Sequence, residues 1–261
     1  MVHLSLIGIG TGDPDHLTLQ AIRALNSADL ILIPRKGAAK ADLADLRRSI
    51  CAAHVSGPAQ VVEFDLPQRD AAATHYLDGV TDWHDAVAAS WAQLIATHRP
   101  SGGKVALMVW GDPALYDSSL RIAERLRAGG LELRTEVIPG LTSLQLLTAV
   151  HAIPLNTLGA PVMITTGRQL RGRGWPDGVD TVVVMLDGDC SFQTLPPEDL
   201  TIYWAAYLGM PQQMMLAGPL AGTGSRIREA RAAARAEHGW IMDIYLLRRD
   251  NLASPAIGPM R

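Results

Sequence analysis

Apolar residues in this chain fall into short runs, separated by longer stretches where they recur at helical spacing. Runs at 4–7, 29–34, 61–66, 104–110 and 133–138 read as strands, since each is brief and bounded by glycine, proline or charge. Between them, 17–25, the positions 43, 46 and 50, 118–128 and 142–151 read as helices. The segment 67–99 carries Tyr76, Val80, Trp83, Val87 and Trp91 at helical spacing and predicts one long or two short helices. The segment is expected to carry a substrate wall or a dimer contact, its aromatic stripe reading as core packing rather than a cofactor box. Strand and helix alternate, which predicts βαβ units around a parallel sheet.

Further on, 162–165, 182–186, 202–208, 214–217 and 241–247 read as strands and 226–237 as an arginine-rich helix with a solvated face. The glycine-bearing, cationic stretch 167–174 reads as a loop, and the tail from 251, with two prolines, as loosely held. Two prolines and a glycine in 153–161 break any periodicity. The expected organisation is therefore two α/β domains, 1–153 and 154–261.

Three strands end in unusual loops. The first continues into Gly8-Ile9-Gly10-Thr11-Gly12-Asp13-Pro14, the fourth into Gly111-Asp112-Pro113-Ala114-Leu115-Tyr116, and the fifth into Pro139-Gly140-Leu141-Thr142-Ser143. Glycines at such corners let backbone approach a ligand, and ligands of open α/β sheets gather at the carboxyl ends of strands. A dinucleotide fingerprint would place glycine where Asp13 stands, and a carboxylate there repels a pyrophosphate. The Gly-Lys-Ser/Thr of a phosphate-binding loop is absent.

Composition narrows the classes further. At 261 residues, 48% hydrophobic and 5% aromatic, the chain buries a core without staples and suits a helix-and-sheet enzyme. A net charge of -3 supplies no global field for nucleic acid or a membrane surface, so neither is expected as a partner. Cys51 and Cys190 form no CxxC or zinc spacing, and His75, His84 and His98 do not share a helical face with a carboxylate, so no metal is expected. No leader pattern or membrane-length apolar run is present, which makes the cytoplasm the expected location.

The ordered set GIGTGDP, GDPALY and IPGLTS resembles the tetrapyrrole methylase family over nearly the whole chain. That resemblance implies a class III S-adenosylmethionine-dependent methyltransferase: two α/β domains with the cofactor in the interdomain cleft, a tetrapyrrole substrate and a homodimer. It implies cofactor contacts at Trp110, Gly111, Asp112 and Leu115, at Thr142 and Ser143, at Met185 and Ala206, and at Thr11, where proline is common in the family. The stretches KGAAKADLADLRRSIC, TGRQL, MLDGD, IYWAAYLGM and GWIMDIYLLRR resemble members that methylate precorrin-5 at ring carbon 1 and release a two-carbon unit as acetate in aerobic cobalamin biosynthesis.

Methyl transfer from a sulfonium asks the protein mainly for placement, because the leaving group is already activated. Acetyl release asks for a general base or an oxyanion donor. By residue type Asp13, Asp187, Tyr207 and Tyr116 are candidates, each equally able to serve as a turn former or packing residue. Arg35, Lys36, Lys40, Arg168 and Arg171 are candidates for holding the substrate's carboxylate arms. Competing readings are a precorrin methyltransferase acting at another ring position, a nicotinamide-dependent oxidoreductase disfavoured by Asp13, and a non-catalytic tetrapyrrole carrier.

Overall fold

The computed structural model describes residues 1–35, 37, 41–68 and 76–249. Lys36, Lys40, His75 and the tail from 250 lie outside the described residues, and with them the expectations placed there. The chain divides into two compact units, Met1–Thr142 and Ser143–Arg261.

The first unit holds five strands, β1 (Val2–Gly8), β2 (Leu30–Arg35), β3 (Gln60–Asp65), β4 (Gly103–Val109) and β5 (Leu133–Ile138). They form one sheet in the order β3-β2-β4-β1-β5, and every pairing is parallel. Side chains alternate across a strand, so each apolar run feeds two cores. Leu4, Leu6, Leu30, Leu32, Val105 and Leu107 point to one face, where α3 (Tyr76–His98) and α4 (Ser119–Ala128) pack through Val87, Trp91, Ile95 and Ile122. Ile7, Ile31, Ile33, Ala106 and Met108 point to the other, against Ala21 and Leu25 of α1 (Leu19–Asn26) and Ala44 and Ile50 of α2 (Ala41–His54).

Among the described residues of 67–99 there is one helix, α3, and Trp91 is core at 3% exposure. Trp83 is half-buried, with its indole N–H donating to the Pro67 carbonyl at 2.7 Å. A dimer contact at this stripe has no support from Trp91.

In the second unit α5 (Ser143–Val150) packs Leu144, Leu146 and Leu147 on Val183, Ala205 and Leu246. The helix belongs with the second sheet, although it precedes the proline-rich connection at 153–161. The sheet is mixed, in the order β6 (Val162–Thr166), β7 (Thr181–Met185), β10 (Asp243–Arg249), β8 (Leu200–Ala206) and β9 (Met214–Pro219). Strand β10 runs antiparallel to both β7 and β8, so Met185 and Ala206 end their strands at the same edge, where β10 begins.

Two expectations need correction here. The cationic stretch after β6 is α6 (Gly167–Arg173), a helix capped by the Thr166 hydroxyl accepting from the Gln169 amide, with Gly174 closing it at φ 71°. The arginine-rich helix is longer than its charge pattern implied: α7 runs Leu220–His238, and its Arg231 is 6% exposed rather than solvated.

Candidate active site

Because all strands of the first sheet are parallel, Gly8, Val109 and Ile138 deliver their loops to one edge. The loops then touch through backbone. A Cβ on Gly8 would stand 2.6 Å from the Gly140 nitrogen and 2.7 Å from the Gly111 carbonyl oxygen, an approach only glycine permits. Gly10 and Gly111, at φ 74° and 69°, form a bridge in which the Gly111 amide donates to the Gly10 carbonyl at 2.8 Å.

Asp112 locks this arrangement. One carboxylate oxygen accepts from the Ala114 amide at 2.7 Å, closing its own turn, and the other accepts from the Gly140 amide at 2.9 Å. The residue implied as a cofactor ligand therefore also fastens the second loop to the third. Thr11 and Thr142 are buried beside these corners, at 4% and 8% exposure. Trp110 carries a buried indole N–H without an acceptor among the described residues. Leu115 is half-buried, its amide donating to the Asp112 carbonyl, and Ser143 opens α5 in the second unit.

On the first loop, Asp13 caps a single 3₁₀ turn, Pro14–His16, by accepting from the Asp15 amide at 2.9 Å. The sequence reading passed over that turn and with it His16, whose Nε2 lies 3.9 Å from Asp13 Oδ2. Tyr116 is 44% exposed on the second loop at φ 49°.

Other predicted residues are occupied elsewhere. Asp187 is 7% exposed, and its carboxylate accepts from the Ser191 amide and hydroxyl, the Asp189 amide and the Tyr245 hydroxyl. Four donors saturate it, which makes it the organiser of the turn after β7 rather than a free base. Tyr207 is 1% exposed and donates to the Trp240 carbonyl at 2.5 Å, a core role. Arg35 ends β2 and forks onto Asp65 of β3 at 2.9 and 3.0 Å. Arg171 pairs with Asp189 at 2.7 Å, and Arg168 is exposed on α6.

Two buried arginines also escaped the sequence reading. Arg231 holds Asp243 at 3.1 Å and donates to the Asp187 carbonyl at 2.9 Å, tying the turn after Met185 to the strand paired with Ala206. Burial pushes the Asp243 carboxyl up against the pull of Arg231. Arg47 of α2 donates to the Met108 carbonyl at 3.0 Å, just ahead of the second loop, and burial pushes its pKa down to about 10, with Asp117 opposing the shift. The available signal was apolar neighbours one turn away, Leu43 and Ile50 around Arg47 and Ile227 and Ala234 around Arg231.

Residues 3–223 match the family described as Tetrapyrrole (Corrin/Porphyrin) Methylases. The chain belongs to the tetrapyrrole methylases. A precorrin-6A synthase (deacetylating) from Sinorhizobium sp is 49% identical over 251 residues, 95% of this methylase and 96% of that protein. A crystal structure of a cobalamin synthesis related protein from Corynebacterium diphtheriae matches at TM-score 0.82 and 38% identity, over 96% of this chain and 100% of that one. The uroporphyrin-III C-methyl transferase of Thermus thermophilus, solved with S-adenyl homocysteine, matches at TM-score 0.58 and 20% identity, covering 94% and 92%, which is a likeness of fold. The methylase thus has the family's class III architecture of two α/β sheets. Among the described residues no helix is long and apolar enough to cross a membrane, and no group of three or more His, Cys, Asp or Glu is placed to hold a metal.

Proposed function

We propose that this tetrapyrrole methylase transfers a methyl group from S-adenosylmethionine to C-1 of precorrin-5 and releases the acetyl group as acetate, giving precorrin-6A in aerobic cobalamin biosynthesis. The observation that carries this reading is the near full-length 49% identity to the Sinorhizobium synthase.

The first unit's loops fit a nucleoside. Gly111 has open space where a Cβ would stand, its nearest neighbour being Thr11 Cγ2 at 3.9 Å, and the Trp110 indole N–H awaits an acceptor. S-adenosylmethionine, when bound, supplies a methyl group on a sulfonium, already activated for transfer. Trp110, Gly111, Asp112, Leu115, Thr142 and Ser143 hold it, with Thr11, Met185 and Ala206 assigned by the resemblance. The protein's contribution is orientation: Asp112 keeps two loops in one geometry, so the donor is presented without reorganisation.

Arg35, at the ligand edge of the first sheet, and Arg168 and Arg171 are assigned to the substrate's carboxylate arms, with Lys36 and Lys40 assigned on sequence alone. A bidentate guanidinium already on Asp65 exchanges one carboxylate for another at little cost, since an exposed pair contributes about 0–1 kcal/mol. The cytoplasm and a homodimer complete the reading, which gel filtration checks.

The test is mass spectrometry of the pigment after incubation with methyl-labelled donor. One methyl gained, one acetyl lost and one acetate released per turnover is the expected result. A methyl gained with the acetyl retained would assign another ring position, and pigment binding without methyl incorporation would assign a carrier.

A further inference from the structure

A residue other than glycine at positive φ carries a steric cost, and it persists where the surrounding structure fixes it, often where a ligand is met. Among the described residues the large side chains in this region are Tyr116, Leu186 and Tyr207, at φ 49°, 53° and 52°. Tyr116 lies on the second loop at 44% exposure, and Tyr207, 1% exposed, gains core packing in exchange. Leu186 is 66% exposed, so packing within the protein offsets little of its cost.

Its neighbours hold it there. Asp187, the next residue, accepts from the Ser191 amide at 2.6 Å and hydroxyl at 2.9 Å, the Asp189 amide at 3.1 Å and the Tyr245 hydroxyl at 2.6 Å. Arg231 of α7 donates to the Asp187 carbonyl at 2.9 Å. Gly167, which opens α6, presses on the same turn so closely that a Cβ there would run into the Asp187 carboxylate. Strands β6 and β7 are parallel, so both finish at this edge. A buried polar network thus ends in one apolar side chain facing water.

The surroundings of Leu186 suit a flat apolar ring fringed with carboxylates. Met242, 37% exposed, precedes β10 at the same edge, its carbonyl accepting from the Tyr207 amide at 2.9 Å. Helix α6 brings two exposed arginines to the turn: Arg168 follows Gly167, and Arg171 pairs with Asp189 at 2.7 Å, two residues past Asp187. A sulfonium cation gains nothing from such a rim, whereas acetate and propionate arms do. We propose that Leu186 is a specificity-determining residue whose side chain packs against the apolar face of the tetrapyrrole macrocycle, with the α6 arginines toward its carboxylate arms. The proposal rests on the tetrapyrrole substrate of the reading above. When the ring covers the leucine, its apolar surface leaves water, and binding of the pigment offsets the cost of the turn.

The experiment compares wild type with Leu186→Gly, Leu186→Asn and Leu186→Met for the KM of precorrin-5, the affinity for S-adenosylhomocysteine and the denaturant midpoint. Leu186→Gly and Leu186→Asn raise the KM about tenfold, the loss of one leucine's apolar contact, while Leu186→Met stays within about threefold of wild type. All variants bind S-adenosylhomocysteine as wild type does, and the midpoint holds or rises in Leu186→Gly and Leu186→Asn, because both residues tolerate positive φ. Leu158→Ala, at a leucine 93% exposed on the 153–161 connection, leaves all three quantities unchanged. Should glycine loosen the turn, Leu186→Asn decides. An unchanged KM in Leu186→Asn, an equal rise in Leu186→Met, or a loss confined to S-adenosylhomocysteine affinity overturns the proposal. A wild-type enzyme that neither binds nor methylates precorrin-5 overturns the underlying reading instead, so the two failures are distinct.

Discussion

Asp112 accepts a hydrogen bond from the Gly140 amide at 2.9 Å, joining two corners of the chain that are 28 residues apart. Its other oxygen closes the Ala114 turn. A carboxylate in this position sets the shape of the site before any ligand arrives.

Replacing it by alanine frees both amides. A hydrogen bond to a charged group contributes about 1.5–3 kcal/mol, so Asp112→Ala raises KM for the methyl donor by at least about tenfold. Isothermal titration with S-adenosylhomocysteine reads the loss, and circular dichroism verifies that the sheet persists.

Gly140 tolerates no side chain. A Cβ there would lie 2.6 Å from the Gly8 carbonyl carbon and 2.7 Å from its Cα, atoms of backbone that no rotamer change relieves. Gly140→Ala costs about 1–3 kcal/mol or more, visible as a lower denaturant midpoint. An alanine at Gly172, inside α6 with nothing within 4 Å, does not lower the midpoint, since alanine is the better helix former.

Tyr245 separates a structural Asp187 from a catalytic one. Its hydroxyl donates to Asp187 Oδ2 at 2.6 Å inside the second unit, and its ring packs edge-on against Phe192. Phenylalanine keeps the ring and removes the bond, so Tyr245→Phe lowers stability by about 1.5–3 kcal/mol while kcat holds. A fall in kcat without loss of stability would return Asp187 to the reaction.

Acid sensitivity is expected from His84. The residue is 4% exposed, and burial, with Arg125 and Arg121 nearby, lowers its pKa against the opposing pull of Asp85 and Asp117. The unfolded chain therefore takes up this proton before the folded one, so stability is whole above about pH 6.5 and declines as the pH falls below it. Thermal melts between about pH 7.5 and 5.5 record the decline, and His84→Gln flattens it.

Much of the first sheet was legible because its signals are local. Each strand is a brief apolar run, and glycine corners mark where β1, β4 and β5 stop; the run at 133–138 coincides with β5. Convergence of GIGTGDP, GDPALY and IPGLTS followed from parallel strands ending at one edge. Helix α6 was hidden because Leu170 is its one buried large side chain, and glycines at both ends read as loop. The Thr166 cap was the overlooked cue. Asp187 read as a candidate general base or oxyanion donor because Tyr245, which joins Asp189 and Ser191 in donating to its carboxylate, is distant in sequence, and no spacing rule announces that pair. His16 was missed because Pro14 disguised a 3₁₀ turn as open loop, and a lone histidine carries no signal until the nitrogen without a partner is seen.

The most direct test of the whole account is a crystal structure with S-adenosylhomocysteine bound. The account predicts the nucleoside in contact with the Trp110 to Leu115 loop and with Thr142. A ligand ordered at full occupancy away from that loop, touching neither Gly111 nor Thr142, would contradict it.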